Sequence, residues 1–501
     1  MDKKSVKNGE SRGKIIGRFR EQVLLKELFD SKKSEFIAVY GRRRVGKTYL
    51  IKNLIDSLPA VFFHVTGLQK GTFKEQLGEF AKQIGVTFYQ GAPLVHRSGW
   101  IDTFEDLTQA INKIPKGKKV VLFFDEFPWM ATPRSKLITA LELYWNRYWV
   151  FDPRIKLIIC GSATSWIVEN IINNKGGLHN RVTRSIHLQP FSLYETESYL
   201  KEHKINLDRR QILDLYTVLG GVPLYWSFVR KGYSAHQCID ELCFQNNGPL
   251  VKEFKRLFES LFEDAKPYIE LIRTVAGYRY GIGQAELIAK SKQPDGGSTV
   301  RRLHQLEEAG FITSLVPYGR KEKGVYYLID DEYSLFYLHW IEPKLKIIAR
   351  KSINAGFWMA QSNQSAWKTW AALSFESTCY KHIDQIRKAL QIDPGATAGT
   401  WRFIPKANEP QEGAQIDLLF DRLDGAITLC EIKYSNKPFA IDKSYSKEIL
   451  KKMEVFKKHT KTKKQLFFSM ITTMGLKPTM YSEEIISNKA TLDDLFVDIV
   501  I

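Results

Sequence analysis

The sequence is poor in cysteine and has no long apolar run. Five cysteines are scattered along 501 residues without a C-x-x-C pair. This pattern argues against a zinc ribbon or a disulfide framework, so we expect reduced, mostly buried thiols. No stretch approaches the roughly 18 uncharged apolar residues of a membrane-spanning helix, and the opening MDKKSVKNGESRGK lacks the apolar segment of a signal peptide. These absences predict a cytoplasmic protein with no membrane partner.

Acidic residues are too few to balance the basic ones. The chain has 74 Lys and Arg against 55 Asp and Glu, which gives a formal net charge of +19. Such a surplus attracts polyanions and releases their counterions on binding. Charge therefore favours a nucleic-acid partner. The alternative is a basic chain with no specific polyanion.

The length and the residue pattern predict several domains. A chain of 501 residues exceeds what one hydrophobic core usually holds. From residue 15 to about 190, short apolar runs alternate with helical stretches, which is typical of an α/β fold with a parallel sheet and helices on both faces. The predicted strands are Phe36–Tyr40, Val61–Val65, Val120–Phe124 and Leu157–Cys160.

A phosphate-binding loop follows the first predicted strand. The segment GRRRVGKT satisfies G-x-x-x-x-G-K-[ST] between a strand and a helix, which is the context that this motif requires. Its backbone N–H groups would surround the phosphates, Lys47 would neutralise the β- and γ-phosphates, and Thr48 would ligate Mg²⁺. The predicted ATP-binding residues are Gly41, Arg42, Arg43, Arg44, Val45, Gly46, Lys47 and Thr48.

Two adjacent carboxylates end the apolar run VVLFFDE. We expect Asp125 to hold Mg²⁺ through water and Glu126 to orient or deprotonate the attacking water. A solvated acidic turn is the alternative. The additional strand Val61–Val65 lies between the two motifs in the sequence, as in P-loop ATPases that carry a catalytic glutamate.

Weaker signals follow the next strand. Ser162 comes directly after Leu157–Cys160 and Gly161, where a hydroxyl group could sense the γ-phosphate or simply cap a helix. Arg181 is the candidate for a charge-neutralising arginine, with Arg184 as the alternative. Either arginine could equally be an ordinary surface residue.

Together these segments resemble the AAA/STAND-like ATPases, often called archaeal-type ATPases, of archaea and bacteria. The matching segments are IIGRFREQVLLKEL, GRRRVGKT, FFDEFPWM, ICGSATSWI, LQPFSLYE and GGVPLYW. The resemblance covers most of residues 15–345. It implies a helical lid whose Gly-x-Pro segment lies near the nucleotide, so that Gly221 and Pro223 would report the nucleotide state.

Residues 266–342 have the element order of a winged helix. A helix, a turn, the helix Ser298–Gly310 and two strands joined by the basic turn Tyr318–Gly324 succeed one another. Such a domain binds DNA or docks a protein, and both uses stay open here. The residues expected on or near the exposed face of the recognition helix are Arg301, Arg302, His304 and Gln305.

Three charged positions define a second candidate site. Side chains alternate along a strand, so Glu431 and Lys433 in AITLCEIK share one face, and Asp417 in AQIDLLFD lies on the preceding strand. Asp417 and Glu431 could hold Mg²⁺ while Lys433 positions or activates a water that attacks a phosphodiester.

With Glu376 on an upstream helix, this block resembles the PD-(D/E)-x-K nuclease fold over residues 366 to about 475, although no proline precedes Asp417. An E-x-K pattern alone is usually a solvated strand face, and some ATPases with this appendage keep the fold for binding only. A lysine-rich helix follows, with nine lysines against three acidic residues between Asp442 and Lys464. Its outward lysines would suit a phosphate backbone.

The predicted protein therefore uses ATP and Mg²⁺ and acts on nucleic acid, with DNA favoured. Its alternatives are an ATP-switched DNA-binding regulator and a STAND-type signalling ATPase that assembles protein partners, as a homo-oligomer or through its winged helix. The predicted segments are a basic flexible tail (1–14), a P-loop ATPase core (15–190), a helical lid (191–265), a winged helix (266–342), a linker (343–365) and a restriction-endonuclease-like α/β domain (366–501).

Overall fold

A computed structural model describes residues 14–319, 325–350, 356–405 and 413–499. The predicted tail, most of the basic turn Tyr318–Gly324 and part of the predicted linker lie outside the described residues. The chain forms two compact units, one ending at Pro190 and one beginning at Phe191. No helix in the described ranges is both long and apolar enough to cross a bilayer.

The first unit contains a five-stranded parallel sheet in the order β2-β3-β4-β1-β5. The four predicted strands are confirmed, and a fifth short strand joins the edge. The strands are β1 Glu35–Tyr40, β2 Ala60–Thr66, β3 Lys119–Asp125, β4 Ile155–Gly161 and β5 Arg184–His187. The helices are α1 Phe19–Asp30, α2 Lys47–Ile55, α3 Phe73–Phe88, α4 Trp100–Asn112, α5 Phe127–Met130, α6 Leu137–Arg147 and α7 Thr164–Ile167.

Both faces of this sheet are buried because its strands are almost continuously apolar. Alternate residues of β3 point to opposite sides, so Leu122 packs with residues of α3, α4 and α6, whereas Phe123 packs with residues of α1 and α2. The predicted arrangement of helices on both faces is thus confirmed. It leaves only the strand ends open to carry a site.

The second unit is richer in helix. Its helices are α8 Leu193–Glu202, α9 Arg209–Leu219, α10 Pro223–Trp226, α11 Ala235–Ile239, α12 Glu253–Leu261, α13 Ala265–Ala276, α14 Gln284–Ser291, α15 Gly297–Glu308, α16 Glu332–Phe336, α17 Leu345–Ala349, α18 Phe357–Ser362, α19 Ser365–Lys381, α20 Ile383–Ala389, α21 Lys443–Thr460 and α22 Met480–Ile485. Its strands are β6 Ile282–Gly283, β7 Ile312–Leu315, β8 Tyr326–Ile329, β9 Thr397–Phe403, β10 Ala414–Asp421, β11 Ala426–Lys433, β12 Phe439–Ala440, β13 Gln465–Thr472, β14 Leu476–Lys477 and β15 Ile486–Thr491.

These strands form three sheets. β6, β8 and β7 make a small antiparallel sheet, and β12 pairs with β14. The largest sheet has the order β15-β13-β11-β10-β9, with antiparallel pairing among β9, β10 and β11 and parallel pairing from β11 to β15. One face of the largest sheet packs with residues of α19 and the other with residues of α21.

A buried histidine ties the start of the second unit to the end of α19. His382 is 1% exposed. Its Nε2 accepts a hydrogen bond from the Leu193 backbone N–H at 3.0 Å, and its Nδ1 lies 2.8 Å from the Thr378 carbonyl oxygen. Nδ1 therefore carries the proton and Nε2 does not. This pairing requires the neutral form of the imidazole.

The neutral requirement makes the stability of the second unit pH-dependent. Burial lowers the pKa of His382 from 6.5 to about 4. The unfolded chain takes up a proton between these values and the folded chain does not, so stability is full above pH 6.5 and declines as the pH falls toward 4. At about 1.4 kcal/mol per pKa unit, we expect a loss of roughly 3 kcal/mol.

Urea unfolding at pH 7, 5.5 and 4 measures this loss, and His382→Gln should flatten the dependence. A matched His304→Gln substitution on exposed α15 should leave it unchanged. An equal pH dependence in the wild type and His382→Gln would contradict this assignment.

Candidate functional site

The loop between β1 and α2 has backbone angles that suit glycine at both ends. Gly41 has φ 139° and Gly46 has φ 92°. A Cβ atom on Gly41 would lie 2.3 Å from the backbone oxygen of Leu188, so a side chain cannot fit. Gly46 directly precedes the first residue of α2. The N–H groups of this helix start are therefore available to an anion.

Lys47 is buried inside this loop. Its Nζ donates to the backbone oxygens of Gly41 at 2.8 Å and Arg42 at 3.0 Å. Burial lowers the pKa of Lys47, while the nearby carboxylates of Asp125 and Glu126 act in the opposite direction. An ammonium group held by two carbonyl groups within the loop is positioned to neutralise a phosphate there.

Thr48 and Asp125 are in direct contact. The Thr48 hydroxyl donates to Asp125 Oδ2 at 2.9 Å, and the Glu126 backbone N–H donates to Asp125 Oδ1 at 3.1 Å. A hydroxyl and a carboxylate at this spacing are the oxygen ligands that Mg²⁺ prefers. His64 Nε2 lies 3.8 Å from Asp125 Oδ2 and is a neighbour that the sequence did not single out.

Glu126 lies in the left-handed region with φ 45°, which turns its side chain away from that of Asp125. Its carboxylate accepts hydrogen bonds from the Ser162 hydroxyl at 2.9 and 3.0 Å and from the Ser162 backbone N–H at 3.0 Å. The contact forms because β3 and β4 are neighbours and parallel, so their ends meet. Ser162 thus positions the glutamate, a role that the sequence did not indicate.

The sheet order also changes the reading of the additional strand. β2 lies between the loop and the carboxylates in the sequence, but β4 lies between β1 and β3 in the sheet. Ser162 directly follows β4, so it lies between the phosphate loop, which follows β1, and Glu126, which follows β3. The sequence order alone could not show this because sheet order depends on non-local pairing.

The arginines of the first unit differ in their surroundings. The Arg43 guanidinium, within the phosphate loop, lies 5.3 Å from the centre of the Trp129 ring. Arg181 lies on an exposed turn, with its N–H bonded to the Leu178 oxygen at 3.0 Å, and Arg184 begins β5 with an exposed side chain.

Gly221 belongs to the second unit, where its carbonyl oxygen accepts from the Phe191 N–H at 2.6 Å.

The second candidate site lies on the central strands of the largest sheet. β10 and β11 pair antiparallel, which brings Asp417 next to Glu431. Asp417 Oδ2 accepts from the Ile432 N–H at 3.0 Å, and Oδ1 accepts from Gln415 at 3.3 Å. Burial, followed by the charge of Glu431, raises the pKa of Asp417 to about 6.

Glu431 is the most densely bonded residue of this site, and it is 2% exposed. Lys433 Nζ lies 2.8 Å from its Oε1, and Lys452 Nζ donates to Oε1 at 2.9 Å and to Oε2 at 2.7 Å. The Tyr445 hydroxyl donates to Oε1 at 3.0 Å. Burial alone would raise the pKa of Glu431, but the two lysines outweigh it and hold the pKa low.

Lys452 and Tyr445 were missed as individual site residues. Both come from α21, whose lysine-rich character was noted without a role for either side chain. Their spacing of seven residues puts them on one face of a helix, which is the signal that could have paired them. Only the packing of α21 on the sheet shows that this face meets Glu431.

Glu376 lies on α19 beside the same carboxylates. Burial, followed by the charge of Asp417, raises its pKa to about 8, so it is mostly protonated at neutral pH. The Tyr380 hydroxyl, one turn further along α19, donates to the Asp417 backbone oxygen. The structure therefore gathers the four predicted residues Glu376, Asp417, Glu431 and Lys433.

Metal-binding geometry is less complete than the sequence pattern suggested. Within the described parts of the chain, no three His, Cys, Asp or Glu side chains are grouped so that they could hold a metal ion. Asp417 and Glu431 would need water, backbone or phosphate oxygens to complete a coordination shell.

Helix α9 contacts the segment that directly follows Lys433. The Arg210 guanidinium lies 3.7 Å from the centre of the Tyr434 ring and donates to Asn436 Oδ1 at 2.7 Å. The Tyr434 hydroxyl donates to Asp214 Oδ1 at 2.9 Å. The end of β11 is therefore fixed from outside the sheet.

The candidate recognition helix α15 exposes only part of its predicted face. Of the four residues, Arg301 and His304 are exposed, whereas Arg302 and Gln305 are half-buried, and Gln305 accepts from the Tyr268 hydroxyl at 2.5 Å.

The segment after β7 packs on the largest sheet. The Tyr318 N–H donates to the Thr400 oxygen at 2.8 Å, and its ring stacks on Phe456 at 5.9 Å. Tyr318, the first residue of the predicted basic turn, is therefore engaged within the chain.

Comparison with known proteins places an ATPase domain over the first unit and the start of the second. Residues 17–227 match a family model described as an ATPase domain predominantly from Archaea. An uncharacterized protein of Methanocaldococcus jannaschii is 21% identical over 405 residues, which cover 81% of this chain and 84% of that protein.

Among solved structures, a Walker-type ATPase of Pyrococcus abyssi aligns with a TM-score of 0.43 and 17% identity over 65% of this chain and 96% of that chain. The ORC2 protein of Aeropyrum pernix aligns with a TM-score of 0.40 and 15% identity over 67% and 95% of the two chains.

The phosphate loop, the paired carboxylates and the match over residues 17–227 lead to one conclusion. The protein is a P-loop ATPase.

Proposed function

We propose that this ATPase carries a C-terminal Mg²⁺-dependent nuclease that acts on DNA. One observation carries the proposal: Asp417, Glu431 and Lys433 meet on adjacent strands, with Lys433 Nζ 2.8 Å from Glu431. This cluster lies in the second unit and shares no residue with the ATP site. The same combination serves phosphodiester hydrolysis, in which a metal and a positioned water act on one phosphate.

The ATP site has the donors for Mg²⁺ and ATP. Lys47 would contact the β- and γ-phosphates, while Thr48 and Asp125 would hold the ion, which neutralises phosphate charge when bound. Glu126 would accept a proton from the attacking water, and Ser162 would keep its carboxylate aimed. Arg181 stays the proposed source of additional positive charge.

The C-terminal site fits a divalent ion in part. Asp417 and Glu431 would hold it, and bound Mg²⁺ would polarise the scissile phosphate. Lys433 would position a water whose oxygen attacks phosphorus, while the bond from phosphorus to the leaving oxygen breaks and that oxygen takes up a proton. Protonated Glu376 is placed at the edge of this site, where it could donate a hydrogen bond.

The choice of DNA rests on charge and on element order. Helices α13, α14 and α15 followed by the small antiparallel sheet have the order of a winged helix. Exposed Arg301 and His304 would face the nucleic acid. On α21, the helix that carries Tyr445 and Lys452, Lys447 and Lys451 are exposed.

A second candidate is an ATP-switched DNA-binding regulator whose C-terminal domain no longer cuts. The observation that favours it is the pairing of Glu431 with both Lys433 and Lys452. A carboxylate already neutralised by two ammonium groups has less need of a metal. Cleavage assays with plasmid, linear and single-stranded DNA, with and without ATP and Mg²⁺ or Mn²⁺, distinguish the two candidates.

For the ATP site, we expect Glu126→Gln to retain ATP binding and to slow hydrolysis by about 10²–10⁴-fold, the usual contribution of a general base. The metal ligand Asp125 and the phosphate loop survive this change. Equilibrium ATP binding and steady-state hydrolysis measure the two effects.

Lys47→Ala is the contrasting variant, since it removes the cation at the phosphates and should weaken ATP binding itself. Loss of ATP binding in Glu126→Gln, with normal turnover of the ATP that still binds, would contradict the assigned roles.

For the second site, we expect Glu431→Gln to abolish metal-dependent DNA cleavage and to leave ATP hydrolysis nearly intact, because the two sites use different residues. Lys433→Ala should reduce cleavage even at saturating Mg²⁺, since the lysine acts on water and phosphate. Glu376→Ala should have a milder effect. Cleavage and ATP turnover are measured on the same preparations.

The matched control is Glu484→Gln, an exposed acidic residue on α22. The nuclease proposal fails, and the regulator takes its place, if the wild type binds DNA but cuts no DNA or RNA substrate with either metal.

A further inference from the structure

Lys452 gives the carboxylate site one more cation than its proposed chemistry requires. Lys433 already neutralises Glu431 from the same strand, yet Lys452 reaches both oxygens of that carboxylate from α21. Asp417 and Glu431 together carry two negative charges, and the two lysines carry two positive charges. The cluster is therefore neutral as it stands.

A divalent cation would disturb this balance. Adding two positive charges beside two partly buried ammonium groups costs electrostatic free energy, because like charges repel and the Glu431 carboxylate that they share is only 2% exposed. One cation has to leave Glu431 if the metal is to bind well.

Lys452 is the cation able to leave. The side chains of Lys452 and Lys433 are 27% and 33% exposed, so exposure does not separate them. Lys452 differs because it comes from α21 and not from the strand that carries Glu431, and it contacts both Glu431 oxygens. Lys433 comes from the strand that carries Glu431 itself, and its pKa is raised, because the charge of Glu431 outweighs the effect of burial. Tyr445 would still donate to Oε1 after Lys452 departs.

We propose that Lys452 is an internal counter-cation that competes with the divalent metal for Glu431 and moves to the phosphate of the nucleic acid when the metal binds. Lys452 is then a positioning residue of the nuclease site, and the inference rests on the proposed nuclease function. Metal binding and phosphate binding are then coupled, because Lys452 leaves the Glu431 carboxylate and contacts a phosphate group of the substrate. The same contact between Lys452 and Glu431 disfavours metal binding when no nucleic acid is present.

Direct metal binding tests this idea. Mn²⁺ binding to the full-length protein is measured without nucleotide by the electron paramagnetic resonance signal of the free ion. Glu431→Gln defines the part of the binding that belongs to this site. We expect Lys452→Met to strengthen Glu431-dependent Mn²⁺ binding by about tenfold, as removal of one contacting charge predicts. At saturating Mn²⁺ the same variant should cleave DNA more slowly, because the phosphate contact is lost.

Two further variants separate charge from structure. Lys452→Arg keeps the charge and should keep wild-type Mn²⁺ affinity, whereas Lys458→Met removes an exposed charge from the same helix and should leave Mn²⁺ affinity unchanged. Should Lys452→Met fold poorly, Lys452→Gln provides the same test with a polar side chain, and thermal unfolding without metal monitors both.

The outcomes are distinguishable. Glu431-dependent Mn²⁺ binding that is equal or weaker in Lys452→Met and Lys452→Gln overturns the role of Lys452 and leaves the nuclease proposal standing. Absence of Glu431-dependent binding in every variant, together with absence of cleavage, overturns the nuclease proposal and this inference with it.

Discussion

The parallel hydrogen-bond ladder of the first sheet is the constraint on which the ATPase site depends. Parallel strands end at the same edge, so β1, β3 and β4 deliver their following residues to one place. More than a hundred residues separate the phosphate loop from Ser162 in the sequence, with Asp125 between them, yet all three meet at this edge. Burial of both sheet faces fixes the strands, and Lys47, Asp125 and Ser162 are themselves buried at this edge.

Buried charge is the corresponding constraint in the second unit. A carboxylate that is 2% exposed must be paired, and Glu431 is paired with Lys433 from its own strand and with Lys452 from α21, which packs on the same face of the sheet. The neighbouring carboxyl groups respond differently, since burial and mutual repulsion raise the pKa of Asp417 to about 6 and of Glu376 to about 8. At neutral pH Glu431 and Asp417 are therefore mostly ionised, whereas Glu376 is mostly protonated.

The same unit is held together by polar contacts between segments that the sequence assigned to different domains. His382 connects α19 to the first residues of α8, Lys381 pairs with Glu332 at 2.7 Å, and Tyr434 bonds to Asp214 on α9. The last two contacts involve residues close in sequence to the carboxylate site. Lys381 follows Glu376 on α19, and Tyr434 directly follows Lys433. The segments that the sequence assigned to a lid, a winged helix and a nuclease-like domain thus pack together within one compact unit. Their contacts restrict how the site can move.

The sequence by itself determined the features that depend on local patterns. A glycine-rich loop between an apolar strand and a helix identifies the phosphate site because its backbone geometry is encoded in the loop itself. The two-residue period of a strand likewise put Glu431 and Lys433 on one face. Tertiary structure alone decided that β4 lies between β1 and β3, that Ser162 holds Glu126, and that Lys452 and Tyr445 reach Glu431. These contacts join distant residues through sheet order and helix packing, and no local pattern specifies which distant partner a side chain will meet.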